Sequence, residues 1–107
     1  ALTNDVGWDN IYVEQMHPFV KGDVLIVASV HGGVGRDRAG KWSQNLVKAC
    51  ERAKQKNGKI LALLGGDGGI IKTLADVSII VPHDSAYIVE GIHSVITHLI
   101  CARLKEI

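Results

Sequence analysis

Three stretches of this chain are apolar almost without interruption, and each is bracketed by turn residues. Residues 23–29 (DVLIVAS) follow Lys21-Gly22. Residues 59–64 (KILALL) follow Asn57-Gly58 and run into Gly65-Gly66, and residues 77–81 (VSIIV) end at Pro82. The first run is apolar throughout instead of alternating, which predicts a strand buried on both faces. Between the first two runs, Leu46, Val47, Cys50 and Ala53 recur at helical spacing and predict a helix over residues 43–56. A shorter helical stretch is predicted over 70–75, a long terminal helix over 87–105, and a further helix over 9–20 that ends near Pro18. Strand and helix in strict alternation predict a parallel sheet covered by helices, with right-handed crossovers.

The terminal helix carries the clearest pattern. On a helical wheel Ile88, Ile92, Val95, Ile96 and Leu99 fall on one side, with Val89 and Ile100 at its edge. Glu90, Ser94, Thr97, His98 and Cys101 gather opposite. That second face carries few of the long charged residues that usually decorate a solvated helix surface.

Composition narrows the function classes. The chain has 107 residues, enough for one small domain. Its 47% hydrophobic content and mean hydropathy of +0.17 exceed what so small a domain can bury by itself. The surplus implies apolar area covered by another copy or by a further part of the fold. A net charge of +1, from 12 basic and 11 acidic residues, gives no field that favours nucleic acid or an anionic membrane. No apolar run approaches the length of a membrane span. Cys50 and Cys101 form no Cys-x-x-Cys pair and no disulfide framework; they read as two buried free thiols of a reducing, cytoplasmic compartment.

Candidate chemistry gathers after the first strand. Ser29 is followed by Val30-His31-Gly32-Gly33-Val34-Gly35, a glycine-rich bend at the carboxyl end of a strand, where open α/β sheets bind ligands. Backbone amides in such a bend can converge on an anion. Ser43 stands as an N-cap for the next helix, whose amino end also favours phosphate. A dinucleotide fingerprint fails because Arg38 occupies the third glycine position. A Walker A loop fails because Trp42, not Ser or Thr, follows Gly40-Lys41; no nucleotide cofactor is expected. Gly65-Gly66-Asp67-Gly68-Gly69 either binds a ligand or turns a strand sharply into a helix.

Taken in order, these segments resemble the carboxyl-terminal part of a sugar isomerase (SIS) domain of the phosphoheptose isomerase type. The resemblance rests on Asn4-Asp5-x-Gly7-x-Asp9, Gly22-Asp23-Val24-Leu25, Gly66-Asp67-Gly68-Gly69, Ala75-Asp76, Val81-Pro82-His83, and Ile92-His93 with His98-Leu99-Ile100. It implies a three-layer αβα sandwich with a parallel sheet, flavodoxin-like, of which residues 1–107 are a partial domain lacking the first strands. It implies an aldose–ketose isomerase acting on a sugar phosphate such as sedoheptulose 7-phosphate. The alternative is a non-catalytic SIS module that binds phosphosugars. The family's catalytic glutamate has no counterpart in this chain.

Carried over by position, the general acid is His98, and the substrate and phosphate contacts are Asp5, Ser29, Val30, His31, Gly32 and Ser43. His93, about 140° round the helix from His98, is structural. The family can hold zinc, and the matching positions here are Glu90 and His98. Family sites lie between subunits of a tetramer, so a homo-oligomer, tetramer or dimer, is implied as partner. The family's phosphate loop reads Ser-x-Ser-Gly-x-Ser/Thr. Here His31 replaces the second serine, and the last hydroxyl is delayed to Ser43 by an insertion of about nine residues. That insertion carries Arg36, Arg38 and Lys41, which either pair with phosphate or form a solvated loop.

Overall fold

Three strands, β1 (Val24–Ser29), β4 (Lys59–Gly65) and β5 (Val77–Val81), form one parallel sheet in the order β1-β4-β5. The structure is a computed structural model, and it describes all of residues 1–107. A separate two-stranded hairpin, β2 (Arg36–Asp37) and β3 (Gly40–Lys41), interrupts the path from β1 to the helix α2 (Gln44–Gln55). α3 (Gly69–Leu74) follows β4, and α4 (Ala86–Lys105) closes the chain.

The core lies on one face of the sheet. Val47, Ala49, Cys50 and Ala53 of α2 pack with Val27, Ile60, Ala62, Leu64 and Ile71. The predicted helical spacing is therefore realised, with Ala49 added. Burial pushes the Cys50 thiol up to about 11, aided by the nearby Glu51 carboxylate, so this cysteine is inert near neutrality. α4 lies on the opposite face, where Val89 sits so close to Gly65 that a Cβ there would fall 2.9 Å from a valine methyl. Helices α2 and α3, the sheet, and α4 make three layers.

Four expectations need correction. β1 is an edge strand buried on one face only: Val27 and Ser29 are buried, while Val24 and Ile26 are each 57% exposed. An all-apolar run reports what a strand can bury, not whether a partner is present. Residues 9–20 form two 3₁₀ turns, Trp8–Asn10 and Val13–Gln15, instead of a helix. There the Asn10 and Gln15 amides donate to the Val6 and Ile11 carbonyls and compete with helical pairing. A short α1 (Leu2–Val6), not anticipated, precedes them. Cys101 is exposed.

The fourth correction concerns α4. Its sheet-facing stripe is Val89, His93, Ile96 and Ile100, of which Val89 and His93 are buried. Most of the predicted apolar side points outward: Ile88, Ile92, Val95 and Leu99 are 47, 40, 58 and 63% exposed. This helix therefore has two apolar faces, and the chain covers one.

β4 and β5 are joined by a polar clasp. Asp76 Oδ2 accepts the Ile60 amide at 2.8 Å, and its other oxygen lies 3.5 Å from Lys59 Nζ. The Ile60 hydrogen bond, assisted by Lys59, holds this carboxyl below its ordinary value of 3.8. A lowered folded-state value means the contribution is complete above 3.8 and is lost as pH falls through the folded value. Asp76→Asn should therefore be less stable than the parent at neutral pH, with the gap closing below about pH 4. Urea titrations of both proteins at about pH 7 and about pH 3 check this.

Candidate functional site

A cleft of about 670 Å³ opens at the carboxyl end of β1, between that strand and α4. Such a volume suits a phosphorylated sugar better than a lone ion. Ser29, Val30 and His31 line one wall and Trp42 and Ser43 a second. Ala86, Glu90, His93, Ser94 and Thr97 of α4 complete the lining with Ala28.

Its centre is a hydroxyl pair from residues 14 apart in sequence: Ser29 Oγ and Ser43 Oγ lie 3.2 Å from each other. Ser43 occupies the N-cap position of α2, as expected, but makes no side-chain cap. Its backbone is left-handed (φ 55°, ψ 26°), and its hydroxyl faces Ser29 instead of the helix amides. A left-handed serine costs on the order of 1 kcal/mol. The strain places a hydroxyl in the cleft at a helix amino end, where the macrodipole favours an anion. Ser29 Oγ also accepts the Gly32 amide at 3.0 Å, and the Val34 amide donates to the His31 carbonyl. These two amides of the bend are thus engaged within the loop.

The second glycine cluster has a structural use. A Cβ on Gly32 would stand 2.1 Å from the Gly68 carbonyl oxygen, and one on Gly69 would stand 2.4 Å from that of His31. Two loops meet here backbone to backbone, and the Ile71 amide donates to the Gly32 carbonyl at 3.0 Å. The β4–α3 turn is the support on which the serine bend rests.

On α4, the His93 ring nitrogen Nε2 is 2.9 Å from the Leu64 carbonyl in a buried setting, while the ring borders the cleft. Glu90, Ser94 and Thr97 follow along the same side of the helix. His98 is exposed and lies one turn beyond Ser94, about 40° round from it and outside the cleft lining. Asp5 sits exposed on α1, also outside the lining. Glu90 and His98 are about 12 Å apart along the helix axis, and no three His, Cys, Asp or Glu residues converge on one point. Glu90 and His98 are therefore at most two ligands of a metal site, with no third ligand beside them in residues 1–107.

The insertion is an ordered hairpin; Arg38 is exposed in its turn, and β-alternation places the other two cations. Arg36 pairs with Lys41 in the hairpin ladder, and both border a separate hollow with Gly33, Val34, Gly35, Gln44 and Ile70. Trp42 alone of the hairpin reaches the cleft. No motif in the sequence marks it, although an aromatic residue directly before the delayed serine is the available signal.

No protein-family model matches the chain. It is 36% identical over 107 residues to the phosphoheptose isomerase of a Nitratiruptor species, an alignment covering 99% of this chain and 52% of that protein. It is 36% identical over 102 residues to the phosphoheptose isomerase of Helicobacter pylori, covering 94% and 48%. It is 37% identical over 106 residues to the lincomycin biosynthesis protein LmbN of Streptomyces lincolnensis, covering 94% and 38%. Among solved structures, a phosphoheptose isomerase from Francisella tularensis superposes with a TM-score of 0.86 at 25% identity. Phosphoheptose isomerase GmhA from Neisseria gonorrhoeae superposes with 0.85 at 26%; in both cases 99% of this chain and 55% of the other is covered. The chain thus spans about half the length of the relatives it matches.

Proposed function

We propose that this chain, which belongs to the phosphoheptose isomerase type of the sugar isomerase (SIS) family, forms the phosphate-holding part of an enzyme interconverting an aldose phosphate and a ketose phosphate, such as sedoheptulose 7-phosphate. The observation that carries this is the Ser29–Ser43 hydroxyl pair facing the polar side of α4 across one cleft. Each hydroxyl can turn its proton to a phosphate oxygen, and the amino end of α2 adds its dipole.

Charge sets the ligand's direction. Glu90 across the cleft would repel a phosphate dianion, so the phosphate belongs at Ser29, His31 and Ser43. The sugar hydroxyls then belong toward Glu90, Ser94 and Thr97. Isomerisation moves a proton between neighbouring carbons through an enediol and needs a base and an acid. His98 is the acid in this proposal, and the base comes from outside residues 1–107.

His98 meets substrate only when the cleft is completed by further structure, and the exposed stripe of Ile88, Ile92, Val95 and Leu99 beside it supports a homo-oligomer, dimer or tetramer. No step of the proposal uses zinc; to hold it, Glu90 and His98 would need further ligands from outside residues 1–107. No helix is long and apolar enough to cross a membrane. The free Cys50 and Cys101 support a cytoplasmic setting.

The test is turnover of sedoheptulose 7-phosphate, followed by NMR, by residues 1–107 together with the part of the enzyme that supplies the base, and calorimetric titration of inorganic phosphate. Conversion is expected, and Ser29→Ala should weaken phosphate binding roughly tenfold. Phosphate binding without conversion of any aldose or ketose phosphate would leave a phosphosugar-binding module and discard the enzyme.

A further inference from the structure

The β2–β3 hairpin is built to hold one aromatic ring. Its turn is closed by Asp37, whose Oδ1 accepts the Ala39 amide at 2.8 Å, and its pairing is extended by the Trp42 amide donating to the Gly35 carbonyl at 3.0 Å. Gln44, in the first turn of α2, donates from Nε2 to the carbonyls of Gly33 at 3.1 Å and Trp42 at 3.0 Å, tying both legs to the helix. The indole lies directly on Gly35, where a Cβ would stand 2.4 Å from Trp42 Cε3. The His31 ring packs against the indole at 4.6 Å between centroids, tilted by 32°. Trp42 is thus held by Gly35 and His31, and remains 36% exposed along the cleft wall beside Ser43.

An indole in that place offers a phosphate group one neutral donor at most, its Nε1–H, and the rest of its surface is carbon with an electron-rich face that does not favour an anion. It offers contact to carbon: the C–H faces of a sugar are apolar patches between hydroxyls, and hydrophobic and aromatic side chains line most of the surface of small-molecule sites. Of the hairpin's cations, Arg36 and Lys41 border the hollow against Ile70, and Arg38 is exposed in the turn and outside the cleft lining. The insertion therefore adds no anion site to the cleft and adds one carbon-contacting wall.

We propose that Trp42, braced by His31 and Gly35, is a specificity-determining residue of this cleft. It selects phosphorylated sugars long enough to lay several carbons against the indole, and discriminates against inorganic phosphate and three-carbon phosphates. The proposal rests on the phosphosugar reading of the same site. Arg36 and Lys41 take no part in it.

The chain has two tryptophans, and Trp8 lies outside the cleft lining, so Trp8→Phe leaves Trp42 as the one indole of residues 1–107. In that full chain, sedoheptulose 7-phosphate should change Trp42 emission, whereas inorganic phosphate and glycerol 3-phosphate should bind with little change. In calorimetry, Trp42→Ala should weaken the heptulose phosphate at least roughly tenfold while inorganic phosphate stays within about twofold, and Trp42→Phe should fall between. Equal weakening of all three ligands would reduce Trp42 to a structural support. Unchanged emission on saturation with the heptulose phosphate would overturn the contact itself. Failure of every phosphate compound to bind the parent would instead remove the phosphosugar reading, an outcome that the phosphate titration alone reveals.

Discussion

His98→Gln in the full chain should lower kcat by roughly 10²–10⁴-fold, the range supplied by a positioned general acid, with KM changed far less. Glutamine keeps a hydrogen-bonding group of similar reach but cannot hand over a proton, so the loss falls on the transition state and not on ground-state binding. The side chain is exposed midway along α4, so its replacement should leave the melting temperature nearly unchanged. That separates a lost acid from a lost fold. His93→Gln is the necessary contrast, because His93 is buried with Nε2 on the Leu64 carbonyl. Its substitution should cost stability first and activity through it. Two histidines on one helix would then show opposite signatures. Unaltered kcat in His98→Gln would move the acid's role onto another group.

Gly32→Ala should be the most damaging single-methyl change in the chain, destabilising by about 3 kcal/mol or more. Two costs combine. The residue has φ +61°, which alanine tolerates poorly, and the new methyl would lie 2.1 Å from the Gly68 carbonyl oxygen and 2.6 Å from its carbon. A carbonyl in a turn cannot rotate aside like a side-chain end, so the two loops must separate. Separation breaks the Ile71 amide bond to the Gly32 carbonyl and shifts Gly32, whose amide seats Ser29 Oγ.

Gly7→Ala provides the comparison: φ is +80° there but nothing stands within 4 Å. Only backbone strain of about 1 kcal/mol is expected at that position. Thermal unfolding of both variants checks the difference. Phosphate titration of Gly32→Ala below its melting point should also show loss of binding, since Ser29 is seated by that amide. Stability within about 1 kcal/mol of the Gly7 variant would show that the loops are not in contact.

The amino-acid order alone was enough for the three parallel strands, α2 and α4, because each run is long and strongly patterned and is punctuated by glycine or proline. It was enough to set Ser29 at a strand end and Ser43 at a helix start, since both are fixed points of this architecture, but not to foresee that their hydroxyls meet. It also separated His93 from His98 correctly as to burial, because their spacing turns a helix by about 140°.

Only tertiary structure decided which hydrophobic faces are covered. β1 and α4 each display more apolar surface than the chain hides, and hydropathy is the same whether or not a neighbour is present. Tertiary structure likewise decided that the two glycine clusters touch, that Trp42 enters the cleft while Arg36 and Lys41 leave it, and that residues 9–20 turn without forming a helix. Those outcomes depend on contacts between segments distant in sequence, where a few tenths of an ångström determine what fits. Local pattern fixes which elements form, and packing between them fixes which side chains meet.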